Sequence, residues 1–332
     1  MKTALLFEKA GDSKVRCFLC AHKCLISDGH FGICGVRKNI EGTLYTFSYG
    51  RLIAANIDPV EKKPLYHFLP GTNSYSIATL GCNFMCGFCQ NWQISQEKGK
   101  ENEAAKFIKP SEIVASAIKS DCRSISYTYT EPTIFFEYAL DIAKIAKESG
   151  LCNIFVTNGY MTKEALLMLK PYLDAANIDL KSFSDGFYTK VCGGRLSPVL
   201  DSIRLMHDLG VWVEITTLII PHLNDSKEEL EGIAAFIAGI DKNIPWHVSR
   251  FHPDYEMLDN IPTPIETLKL AKAIGEEKGL CYVYIGNVGE EESTYCPACK
   301  KPVIKRFIFD ILENNLSVNR CKYCNFLIGG VY

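Results

Sequence analysis

Ser74–Cys89 reads SYSIATLGCNFMCGFC, a short β-rich run that passes straight into a loop holding three cysteines. The same kind of run recurs as SISYTYT, NIFVTN, ANIDLKS, VWVEITTLII, WHVSRFH and YVYIGN, out to about Asn287. Most of these are separated by segments with helical periodicity, such as PSEIVASAIKSD from Pro110 and TIFFEYALDIAKIAKESG, which ends on Gly150 as a C-terminal stop. Strand and helix alternating six or seven times predict parallel strands joined by helical crossovers. The fold class expected is α/β, a partial (β/α)6-type TIM barrel, with a doubly wound sheet as the alternative. In either, chemistry belongs at the C-terminal ends of the strands. Ser74–Leu80 is then the first barrel strand, and Gly81–Trp92 is the loop leaving its C-terminal end.

Working outward, three domains are predicted. Residues 1–73 form an N-terminal Cys-rich extension with strands predicted in TLYTFSYG and RLIAANID. Residues 74–287 form the barrel, and residues 288–332 form a short Cys-rich tail. The chain has 332 residues, 47% of them hydrophobic, enough for a substantial core. Its formal net charge of −2 does not point to nucleic acid or an anionic membrane. The start, MKTALLFEKAGDSK, has an apolar core of four residues, short for a signal peptide, and VWVEITTLII is interrupted by Glu214. A soluble, cytoplasmic protein is expected.

Fifteen cysteines need a reason, and eleven fall in three groups: 17/20/24/34, 82/86/89 and 296/299/321/324. Close groups of this kind bind metals more often than they form bridges. Cys122, Cys152, Cys192 and Cys281 are isolated and read as small buried hydrophobes. In the middle group, three thiolates can hold three irons of a [4Fe–4S] cube and leave the fourth open to an exogenous chelate. The competing reading is zinc completed by a remote side chain. CPAC and CKYC, with 21 residues between them, match a zinc ribbon: Cys296, Cys299, Cys321 and Cys324 give four thiolates to one tetrahedral ion. Cys17, Cys20, Cys24 and Cys34 also suffice for a closed site, with His22 and His30 as spares. Structural zinc is preferred there, with an auxiliary iron–sulfur cluster as the alternative.

Cys82-x3-Cys86-x2-Cys89, with Phe88 before the last cysteine, resembles the signature of radical S-adenosylmethionine (SAM) enzymes. In order, NIDPVEKKPLYHFLPG, LGCNFMCGFCQNWQIS, YTEPT, VTNGY, DLKSF and SRFHP are similar to the AmmeMemoRadiSam-system family, a relative of glycyl-radical-enzyme activases such as pyruvate formate-lyase activating enzyme. The resemblance implies that SAM chelates the open iron through its amino and carboxylate groups. One electron then cleaves it to methionine and a 5′-deoxyadenosyl radical, which takes a hydrogen atom from the substrate. It also implies reduced flavodoxin or ferredoxin as electron donor and a shared pathway with Memo-like and AMMECR-type proteins.

Relatives place Gly-Gly-Glu-Pro after the second strand; here Tyr129 and Thr130 replace the glycines, while Glu131 remains to accept from the SAM amino group. Its competing role is to cap a helix N-terminus. At the third strand end Val156 replaces the Asp that helps bind a cation in activases, so no cation is expected. Thr157 and Asn158 reach ribose or carboxylate, or only form a turn with Gly159. Alternation puts Asp179 and Lys181 on one side, where the resemblance implies contact with SAM and the alternative is an internal ion pair with another strand. Arg250 and His252 share a side at the sixth strand end; His252 matches a His near SAM, and Arg250 suits a carboxylate. Glu214 is a guess for the substrate side. His247 and His222 read as core or solvated histidines.

Two other readings stand beside a small-molecule or peptide modifier. One is a glycyl-radical activase acting on a protein. The other is a non-catalytic iron–sulfur and zinc protein, which the open three-cysteine site argues against because pure electron carriers usually close all four iron positions.

Overall fold

The computed structural model describes residues 1–97 and 106–332. All seven anticipated parallel strands form: Asn73–Thr79, Ser124–Tyr127, Cys152–Thr157, Ala175–Asp179, Trp212–Ile219, Trp246–Arg250 and Val283–Gly286. They pair in chain order, each parallel to the next. An eighth strand, Leu52–Pro59 from the N-terminal region, pairs antiparallel with Asn73–Thr79 as an edge of the same sheet. By its hydrogen bonds the sheet is open, because Leu52–Pro59 and Val283–Gly286 are its two edges.

The strands are apolar because both faces are covered. All four residues of Ser124–Tyr127 are buried, and Trp246, Ile215 and Val248 have no exposed surface. The crossover helices are Pro110–Lys119, Phe136–Glu148, Lys163–Leu169, Leu196–Asp208, Lys227–Ile240 and Ile265–Glu277. Local chemistry starts them: Pro110 opens the first, and Thr162 and Ser226 cap theirs by accepting from Ala165 N and Glu229 N.

The N-terminal region adds two small antiparallel sheets. Arg37 in one of them makes an ion pair with Glu137 of the helix Phe136–Glu148, both about 1% exposed. A buried pair of this kind costs several kcal/mol if one partner is removed. The tail forms a three-stranded antiparallel sheet, Glu291–Tyr295, Pro302–Phe307 and Asp310–Asn314. It packs through Val303, Ile304 and Leu316 on Tyr66, Tyr282 and Tyr284. No helix among the described residues is long and apolar enough to cross a membrane.

Two expectations need correction. Glu214 is fully buried away from the strand ends: it accepts from Tyr66 N, His67 N, Trp212 Nε1 and His247 Nε2 at 2.7–3.0 Å. A strand interior offered no water, so the fold supplied four donors instead. Cys281 is exposed rather than a buried hydrophobe. Cys192 is fully buried, as read from the sequence.

Candidate active site

The C-terminal ends of six adjacent parallel strands, with the loop Gly81–Trp92, open on one cavity of about 520 Å³. Cys82, Cys86, Cys89 and Phe88 line it, as do Tyr129, Thr130, Glu131, Asn158, Asp179 and Lys181. These come from loops far apart in sequence, and parallel pairing carries their strand ends to one side.

The cysteine loop is held at several points. Phe84 N donates to Cys82 Sγ at 3.3 Å, and Cys89 Sγ lies 3.1 Å from Ser95 Oγ. The Phe84 ring fits only because residue 194 is glycine; a Cβ there would come within 2.5 Å of it. Burial pushes the Cys82 thiol well up. Cys86 is raised by neighbouring Cys192 and by burial, although Lys181 nearby favours its thiolate.

The spacing of the sulfurs tests which group fits. Among the described residues, only Cys296, Cys299, Cys321 and Cys324 bring three or more potential ligand atoms within 4.8 Å of one another. The sulfurs of Cys82, Cys86 and Cys89 share a cavity but do not all lie within 4.8 Å of one another. That fits a cube, whose ligands bind different irons.

Glu131 forms the helix cap weighed as its alternative role. It begins the 3-10 turn Pro132–Phe135, and its Oε1 accepts from Thr133 N, Thr133 Oγ1 and Thr157 Oγ1. Among the described residues its Oε2 accepts only from Asn158 N, at 2.8 Å. Burial raises its pKa against these donors. Asn158 forms the turn, with Oδ1 accepting from Tyr160 N, and also reaches the cysteine loop through Asn83 Oδ1.

Lys181 Nζ donates to Asp179 Oδ2 at 2.8 Å, and Leu180 is buried outside the lining. The ion pair lies within one strand end rather than between strands. Lys181 also lies 5.5 Å from the centre of the Phe88 ring. Tyr129 takes the left-handed conformation, φ 60°, uncommon for a non-glycine residue. Its hydroxyl donates to Asp58 Oδ2, which also binds Lys63 Nζ at 2.6 Å. Burial, offset in part by Asp58, lowers the Lys63 amine to about 8.

Arg250 and His252 do not line the cavity. Arg250 Nε donates to Thr263 O at 2.9 Å, and exposed His252 meets Gln90 Nε2 at 3.2 Å. Ser249, one residue earlier, faces the cavity instead, so the alternation runs one residue out of step with the expectation. Lys62, Lys63, Thr216 and Ser249 line the site and were missed as site residues. For Thr216 and Ser249 the available signal was a polar residue near the C-terminal end of an apolar strand.

The family model described as "Radical SAM superfamily" matches residues 76–237. An uncharacterized protein of Methanocaldococcus jannaschii is 48% identical over 98% of this chain and 98% of its own length. Pyruvate formate-lyase-activating enzyme of Clostridium pasteurianum is 26% identical, over 54% of this chain and 80% of its own. Among solved structures, a radical SAM methyltransferase from Sphaerobacter thermophilus shares the fold, with TM-score 0.53 and 15% identity over 66% of this chain and 67% of the other.

Proposed function

The chain belongs to the radical SAM superfamily and is an enzyme of that class, and from that premise we propose how its own residues serve the reaction. The observation that carries the reading is three widely set thiols sharing one cavity with Glu131, Asn158 and the Asp179–Lys181 pair. Cys82, Cys86 and Cys89 would hold a [4Fe–4S] cluster and leave one iron for SAM. Bound together, cluster and SAM supply a reductive C–S cleavage that gives methionine and a 5′-deoxyadenosyl radical able to abstract hydrogen from a substrate.

The protein's part is binding, orientation and exclusion of water. Oε2 of Glu131, with a single donor, has a lone pair left for an ammonium. Lys181 presents its charge beside Cys86 and Phe88, suited to a carboxylate. Tyr129 and Lys63 also line the cavity, both held by Asp58 behind them. We read the sheet as a partial barrel wrapped around this cavity, supported by six strand ends meeting there. The resemblance to the AmmeMemoRadiSam-system family supports an unidentified substrate, a flavodoxin or ferredoxin donor, and Memo-like and AMMECR-type pathway partners. The tail cysteines, with Sγ pairs at 3.6 and 3.7 Å, suit one tetrahedral zinc.

The 26% likeness to a pyruvate formate-lyase-activating enzyme favours a second version, hydrogen abstraction from a glycine of a protein partner. The test is anaerobic: reconstitute, reduce, add SAM and quantify 5′-deoxyadenosine against Cys86→Ala. Product that depends on Cys86 is expected. Its absence in a protein whose loaded cluster also ignores SAM would overturn the assignment. An EPR doublet on a co-incubated glycyl radical enzyme would select the activase version.

A further inference from the structure

We propose that Cys17, Cys20, Cys24 and Cys34 hold a second [4Fe–4S] cluster, placed to pass electrons to the cluster at Cys82, Cys86 and Cys89. The relay half rests on the function proposed above; the metal content does not.

The two four-cysteine groups differ in geometry. A single zinc at about 2.3 Å from each thiolate draws its sulfurs close together. The tail group does this, with all four sulfurs within 4.8 Å. In the N-terminal group no three do, yet all four thiols line one cavity. Four cysteines around a shared space, too far apart for one ion, match a cube whose ligands bind separate irons.

The surroundings suit an anionic cluster. Leu19, Ile26 and Ile134 give an apolar wall. Buried Arg37, whose charge is paired with Glu137 through Nη2, donates through Nη1 to Cys17 Sγ at 3.2 Å and so sets a hydrogen-bond donor against the ligand shell. Hydrogen bonds to ligand sulfur and burial are the levers by which a protein tunes a cluster's potential.

The position suits a relay. His22, between Cys20 and Cys24, contacts Asn83 O through Nε2 at 2.8 Å, and Asn83 follows Cys82 directly. The His22 ring also packs on Tyr160, with centres 4.8 Å apart. From the other side, Cys34 O lies 3.0 Å from where a Cβ on Gly81 would stand, so the two cysteine loops touch with no room for a side chain between them. Gly81 also has φ +96°, which favours glycine independently. In the relay, one electron from a reduced flavodoxin- or ferredoxin-type donor takes the second cluster from 2+ to 1+. The same electron then passes on, taking the first cluster from 2+ to 1+ and returning the second to 2+, with no atom transferred.

The full chain, reconstituted anaerobically, decides it through iron, sulfide and zinc analysis with EPR and Mössbauer spectra. The triple variant Cys82→Ala/Cys86→Ala/Cys89→Ala should keep about four irons and a reducible cubane signal that SAM leaves unchanged. Zinc, or no metal, in the N-terminal site of that variant overturns the proposal. The converse variant, Cys20→Ala/Cys24→Ala, should lose about four irons, keep the SAM-responsive signal and lose reduction by the protein donor. Undiminished reduction by that donor overturns the relay. Should the converse variant not fold, the triple variant still decides the metal. A wild-type chain with about eight irons and no response to SAM would sink the function proposed above while leaving the second cluster standing.

Discussion

Asn158 Nδ2 donates to Asn83 Oδ1 at 2.7 Å, fastening the turn after the strand Cys152–Thr157 to the loop that carries the site cysteines. Both residues are buried, and Asn83 Nδ2 has no partner among the described residues. In Asn158→Ala, Asn83 Oδ1 loses its donor and Tyr160 N its acceptor. A stability loss of about 1–3 kcal/mol is expected. Iron should be retained while SAM perturbs the cluster's EPR signal less, measured by thermal unfolding and a SAM titration. An unchanged titration would show that this bond does not position the loop.

Glu131→Gln tests the buried carboxylate. Four donors point at its two oxygens, and an amide would turn N–H groups toward some of them. The expected cost is about 1–3 kcal/mol, together with weaker SAM binding. A fully stable variant that still loses SAM affinity would mean the carboxylate acts mainly on the ligand.

Glu214→Gln should destabilise by about 3–5 kcal/mol, since it breaks a buried pair with His247 and disturbs the contacts to Tyr66, His67 and Trp212. Iron loading at Cys82, Cys86 and Cys89 should not change. Chemical denaturation and iron analysis read the two effects separately.

His67 links stability to pH. Burial is the main cause that lowers its imidazole to about 4 from 6.5. Between these values the unfolded chain binds more protons than the fold, so stability rises with pH and is lost on acidification from 6.5 toward 4, by about 3 kcal/mol. Glu61 acts in the opposite sense. Burial raises it to about 6 from 4.5, and acidification across that interval returns about 2 kcal/mol. Because His67 also bonds to Tyr284 Oη and Gly329 O, the loss should weaken tail docking. Thermal midpoints from pH 7.5 to 5 should slope less in His67→Asn than in the wild type.

Cys321→Ser should cost one bound metal per chain and open residues 288–332 to proteolysis, while the Cys82, Cys86 and Cys89 site keeps its iron. Metal analysis with limited trypsin digestion reads this. A protease-resistant tail after complete metal loss would show that packing on Tyr66, Tyr282 and Tyr284 holds it alone.

Alternating apolar strands and amphipathic helices specified seven parallel strands in chain order, because burial on both faces of a parallel sheet imposes continuous apolar runs that local sequence displays. Cysteine spacing specified the site loop and the tail metal group, since those ligands are close in sequence. Local pattern could not say which polar residues face the cavity. Ser249 rather than Arg250 lines it, through a register set by pairing with Trp212–Ile219. The same limit hid Glu214, whose four donors come from three separate segments. It also hid the contrast between two four-cysteine groups that look alike on paper. Sulfur separation depends on how the backbone around each cysteine packs, and only the tertiary structure fixes that.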